Sequence, residues 1–140
     1  VGQGAQRAEG KIKMNTQEIF NKVCEHLITQ NKQALHDDAS CMYHAANGLK
    51  CAVGCLISVE NYDPCFEENN IDNLLDNFHG GAMNKKLYGM IKTNRELLQK
   101  LQHIHDGAEG AVPENWAWHL RALAAERHLT PPACILEKEN

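Results

Sequence analysis

The chain has 140 residues, 43% of them hydrophobic, with 14 Lys+Arg against 18 Asp+Glu, a formal net charge of −4, six Cys and eight His. That length suffices for one ordinary domain burying roughly 68% of its unfolded surface without a metal or disulfide staple. The acidic balance excludes a global footprint for nucleic acid, and no apolar run approaches the ~20 residues of a membrane span. The expectation is therefore a cytoplasmic protein with reduced thiols and with neither nucleic acid nor membrane as partner.

Residues 1–13 contain three Gly and mixed charge with no apolar period, and they read as a flexible leader or appended extension. A single helical domain is expected over 14–140. Its first helix is signalled by Asn15 with Glu18 three residues on, a capping box, and by a possible staple of Met14 and Ile19. Ile19, Phe20, Val23, Cys24, Leu27 and Ile28 recur at helical spacing, which predicts a helix reaching Ala34 or Leu35. Cys24 falls in that stripe and reads as core.

After the turn-prone segment 36–40 comes the block 41–57, CMYHAANGLKCAVGCLI. Asn47-Gly48 suits a type I′ turn, because both residues tolerate positive φ. A β-hairpin over 41–53 is expected, with Ala46 facing Leu49, His44 facing Cys51, Tyr43 facing Ala52 and Met42 facing Val53. Residues 51–57 form a short apolar run that periodicity assigns to neither strand nor helix.

The stretch 60–79 carries six acidic residues and no Lys or Arg, whereas 84–100 carries Lys85, Lys86, Lys92, Arg95 and Lys100 against Glu96. Ile71, Leu74, Leu75 and Phe78 predict one helix, ended by His79-Gly80-Gly81. A second, from about Asn84 to Asp106-Gly107, has Leu87, Ile91, Leu98 and Leu101 as its stripe, widened by Met90, Leu97 and Ile104. The opposed charges suit two neighbouring helices or a head-to-tail contact between subunits. Pro113 opens a last helix reaching about His128, stopped by Thr-Pro-Pro. Trp116 and Trp118 point about 200° apart on it, so that helix is buried on both sides or offers one face to a partner.

Among chemical candidates, Cys41, His44, Cys51 and Cys55 have the look of a zinc site, but on a hairpin Cys41 and His44 fall on opposite faces. If 51–57 is helical, His44, Cys51 and Cys55 become a possible metal or Cys-based catalytic cluster. His103 and His105 also point about 200° apart and read as stabilisers of a helix C-terminus. No serine-hydrolase elbow, HExxH, P-loop or GxGxxG occurs. Tyr43, His44, Lys50 and Tyr62 offer aromatic faces and donors for a small anionic or heteroaromatic ligand.

The pattern C-x-Y, N-G-L-K-C-A-V-G-C-L-I and Y-D-P, followed by L-Q-H-I-H-D and W…L-R-A-L-A, resembles small uncharacterised proteins of bacteria, phages and mobile gene cassettes over roughly residues 14–130. The resemblance implies an accessory role and supplies no catalytic residues. The expectation is a mainly α (α+β) domain of four to five helices packed with one small β-hairpin, forming a homodimer through a Trp-bearing face. Its expected role is non-enzymatic, holding a small molecule or a host protein near residues 41–65 without a cofactor. The alternatives are a zinc or Cys-based redox or hydrolytic protein centred on His44, Cys51 and Cys55, and an obligate structural dimer without ligand.

Overall fold

The computed structural model describes residues 14–37, 40–78, 81 and 83–136; the leader assigned to 1–13 and the expected Gly80 cap lie outside them. The described chain is mainly helical, with α1 Thr16–Gln30, α2 Ile71–Asn77, α3 Lys85–Thr93, α4 Arg95–Asp106 and α5 Trp116–Arg127. Helix α1 begins as its sequence dictates: Asn15 accepts from the Glu18 N–H while the Glu18 carboxylate accepts from the Asn15 N–H. It ends at Gln30 rather than at 34–35, because Asn31 adopts the left-handed conformation at φ 52° and its N–H returns to the Leu27 carbonyl.

The expected helix over 84–106 is interrupted. Asn94 leaves helical geometry at φ −109° and ψ 24°, dividing α3 from α4. It occupies the stripe position between Ile91 and Leu98, where a buried amide needs partners. Its Nδ2 donates to the Met90 carbonyl at 2.9 Å, and its Oδ1 accepts from the Thr16 hydroxyl at 2.8 Å. The junction is thereby tied to the start of α1.

The β-hairpin expected over 41–53 is not formed. One antiparallel bridge joins His44 to Lys50, and a second joins Leu35 to Cys41. Gly48 alone takes positive φ, at 87°, while Asn47 does not, so the reversal uses the three residues 46–48 instead of a two-residue I′ turn. This moves His44 opposite Lys50 rather than Cys51. Pairing then stops because 51–57 coils: Cys55 N–H donates to the Cys51 carbonyl at 3.1 Å, and a 3₁₀ turn covers Gly54–Leu56. Only glycine fits at 54, since a Cβ there would stand 1.9 Å from the Tyr43 carbonyl oxygen.

Helix α5 packs on α4 and α1, while α2, α3 and α4 contact one another. Ile19, Phe20, Leu27, Leu98, Leu101, Trp116 and Leu120 lose all solvent contact, each worth about 1.5–3 kcal/mol of transfer free energy for the larger side chains. The opposed charges are met within the chain at Asp72 and Arg95, 2.5 Å apart. Lys100–Glu126 and Arg127–Glu96 join α4 to α5. All three pairs are largely exposed and add little stability. Among the described residues, no helix is long and apolar enough to cross a membrane.

Candidate functional site

The irregular stretch 31–70 buries backbone groups that no ladder satisfies, so side chains supply the missing partners. The Glu67 carboxylate does most in the 41–45 turn. One oxygen accepts from the Tyr43 N–H at 2.9 Å; the other accepts from the His44 N–H at 3.1 Å and the Tyr62 hydroxyl at 2.5 Å. Tyr43 donates its own hydroxyl to the Asn69 carbonyl at 2.5 Å. The His44 ring stacks on Tyr62 with centroids 4.2 Å apart. Its Nε2 faces the carbonyls of Gly54 and Ile57 at 2.9 and 3.0 Å, which only a donor can satisfy. Burial and then the Glu67 hydrogen bond push the Tyr62 hydroxyl pKa up, and burial does the same for Tyr43.

This scaffold walls a hollow of about 460 Å³ bounded by the 41–43 turn, the 68–70 loop with the first turn of α2, and α4. Its floor includes Tyr43 and Ile71, and its polar wall is Gln99, Gln102, His103 and Asp106, which recur at i, i+3, i+4 and i+7 along one face of α4. The lining holds the carboxylates of Glu68, Asp72 and Asp106 and neither Lys nor Arg. Asp72 is engaged by Arg95 and Gln99. Asp106 accepts from Gln102 at 2.8 Å, from His105, and from the Cys41 thiol. The side chains of Glu68 and His103 make no hydrogen bond to another described residue.

Behind Asp106 lies His105, wholly buried in the last turn of α4. The Ala34 N–H donates to its Nε2 at 3.0 Å, so the ring proton sits on Nδ1 and is donated to Asp106 at 2.8 Å. The ring also stacks on Trp116 at 5.8 Å. Burial raises the Asp106 pKa, but the hydrogen bonds from His105, Cys41 and Gln102 outweigh it and hold the carboxyl below the ordinary range. Cys41 moves the other way: burial and then the Asp106 bond push its thiol up to about 12.

Cys41, His105 and Asp106 are the one group of three metal-type side chains, among the described residues, whose ligand atoms lie within 4.8 Å of one another. The donor set does not fit a metal. Coordination at His105 Nδ1 would move the ring proton to Nε2, directly against the Ala34 N–H. The other trio considered from sequence, His44, Cys51 and Cys55, is not brought into such a group. Cys51 Sγ accepts from the Gly54 N–H and Cys55 donates to the Ala52 carbonyl. Burial raises both thiols, Cys55 to about 12.

Of the four ligand candidates read from sequence, Tyr43 alone lines the hollow. His44 and Tyr62 stand behind it as supports. Lys50 is held through its backbone, its N–H donating to Gln30 Oε1 and its carbonyl accepting from His26 and Gln30. The sequence reading weighs Cys41 only as a zinc ligand, set aside on hairpin geometry, and passes over Gln102 and Asp106, for which the polar stripe on α4 was the signal available. No family model matches the chain, and no curated protein or solved structure matches it.

Proposed function

We propose that the chain is a non-enzymatic binding protein whose ligand is a small polar molecule held in the hollow between the 41–43 turn and α4. The observation that carries this reading is the hollow itself: about 460 Å³, within the range of small-molecule sites, with apolar floor and convergent amides and carboxylates. Three carboxylates without a lining Lys or Arg favour a neutral or cationic ligand rich in donors over the anionic one suggested by the tyrosines and Lys50. Raised thiols argue against a cysteine nucleophile. The Ala34–His105 hydrogen bond argues against bound zinc. The accessory role in a phage or mobile element, in a reducing cytoplasm, rests on the sequence resemblance and on six free thiols.

Thermal-shift screening of a metabolite library, followed by calorimetry, tests this reading. A ligand at 100 times its Kd stabilises by about 2.7 kcal/mol, a rise of several degrees in Tm, and Glu68→Gln, at a carboxylate that lines the hollow, should weaken binding while leaving the unliganded Tm nearly unchanged. Blank titrations together with an empty lysate pull-down would remove the reading. Elemental analysis is expected to find no stoichiometric metal.

A further inference from the structure

Around the hollow beside α4, the fold spends its side-chain donors and leaves acceptors over. Gln102 is committed at both ends, its Oε1 to the Val53 N–H and its Nε2 to Asp106. Gln99 gives its Nε2 to Asp72 and keeps its oxygen. Glu68 lines the hollow with no hydrogen-bonding or ionic partner among the described residues. Against these acceptors stand the Asn70 amide nitrogen, whose oxygen caps α2, and the His103 ring.

Charge sharpens the imbalance. Asp106 is held as an anion, yet its three partners are neutral: the Gln102 amide, the Cys41 thiol and His105. His105 cannot supply a counter-charge, because its Nε2 accepts the Ala34 N–H and an imidazolium has no acceptor nitrogen. Three donors do not fill the roughly four lone-pair sites of a carboxylate, so a further donor still fits. Other carboxylates nearby are matched by cations of the chain: Glu96 by Arg127, Glu126 by Lys100, and Asp72 by Arg95. Asp106 and Glu68 are not, and a charge partly withdrawn from water is felt more strongly than one in bulk solvent.

We propose that the hollow holds a small organic cation, a primary amine whose ammonium meets Asp106, with Glu68 adding its charge from the 68–70 loop. This rests on the reading of the hollow as a small-molecule site and names the class of ligand. The apolar groups of Met42, Tyr43 and Ile71 receive the methylenes of the amine. A bare Mg²⁺ or Ca²⁺ would leave that floor unused and would call for about six or more oxygen ligands.

The test is an NMR titration at neutral pH that follows the side-chain amide signals of Gln99, Gln102 and Asn70. The probes are cadaverine, agmatine and spermidine, with pentanediol as neutral isostere, glutarate as anion and Mg²⁺ as competitor. Saturable shifts with the amines are expected, with the diol at least ~10-fold weaker. Glu68→Gln should weaken amine binding ~2–5-fold and Asp106→Asn ~10-fold or more, with circular dichroism confirming the fold; Glu68 is exposed, so its variant decides even if Asp106→Asn fails to fold. Equal binding of the diol, binding of glutarate at the same amides, or displacement of the amines by Mg²⁺ overturns the proposal. If no amine moves these signals but a neutral member of a metabolite library does, the cation is wrong and the hollow remains a binding site. If nothing moves them, both readings fall.

Discussion

Residues 31–70 and residues 71–128 solve the same problem by different means. In the second region apolar stripes bury backbone that is already hydrogen-bonded within helices, and Leu98, Leu101, Trp116 and Leu120 provide the contacts. In the first, the chain is mostly irregular, and its backbone groups borrow partners from distant side chains. Glu67 serves Tyr43 and His44, Gln30 serves Lys50, Gln102 serves Val53, and His105 serves Ala34. The helical region thus satisfies its own backbone, while the irregular region draws acceptors from its own Glu67 and from the helices around it, Gln30 of α1 and Gln102 and His105 of α4. The hollow beside α4 lies on the seam, where one wall is regular and the other is pinned.

The largest effect that probes this contrast is Leu98→Ala, which should cost about 2–5 kcal/mol by opening a cavity in the helical region. Glu67→Ala should approach it at about 2–4 kcal/mol, although it removes no core volume, because two backbone donors and a phenol lose a charged acceptor. Glu67→Gln, which keeps one acceptor oxygen, should cost less than half as much. Chemical denaturation of the three variants decides the matter: if Glu67→Ala is silent, side-chain acceptors do not hold the turn. His105→Phe fills the same space but orphans the Ala34 N–H and should cost about 1–3 kcal/mol.

A smaller effect is read by pH. The folded-state pKa of Asp106 lies below its ordinary value, so its stabilisation is fully present above the unfolded pKa near 4 and is lost as pH falls through the folded one. Asp106→Asn should flatten the acid limb of the stability curve and lower stability by a pH-independent amount above pH 6; an unchanged acid limb would show that the His105–Asp106–Cys41 chain is not what anchors this wall. The smallest perturbation is chemical. Cys65 is exposed, whereas Cys24 and Cys51 are buried and Cys41 is both partly buried and hydrogen-bonded. A thiol reagent should label Cys65 first, and rapid labelling of Cys41 or Cys51 in the folded state would reopen a cysteine chemistry.

The legibility of the two regions in the sequence follows the same division. The capping box at Asn15 and Glu18, the stripes of α2, α4 and α5, and the opposed faces of Trp116 and Trp118 are local periodic signals, and they are visible from spacing alone. Asn94 was visible as a gap in a stripe but was bridged by the strong pattern on either side. The irregular region resisted because its restraints join residues far apart: Tyr43 to Glu67 and Ala34 to His105 leave no local trace. The Asn47-Gly48 pair correctly marked a reversal but could not say which of two turn lengths would form, and one residue of difference changed every facing pair. The partners of His105 are hidden for the same reason. Its place near a helix end suggests the helix dipole as its partner, whereas the Ala34 N–H and the Trp116 ring meet it.

The joint at Asn94 governs the dimensions of the molecule. Run as one uninterrupted rod, Lys85 to Asp106 would measure roughly 33 Å, close to the whole diameter expected of a domain this size. A rod of that length cannot cover two differently oriented surfaces. Broken once, it becomes two short struts: α3 braces α2, and α4 is free to run alongside α5 and present its polar edge to the hollow. A single amide, anchored to Thr16 at the start of α1, thereby marks where one direction of helix gives way to the other.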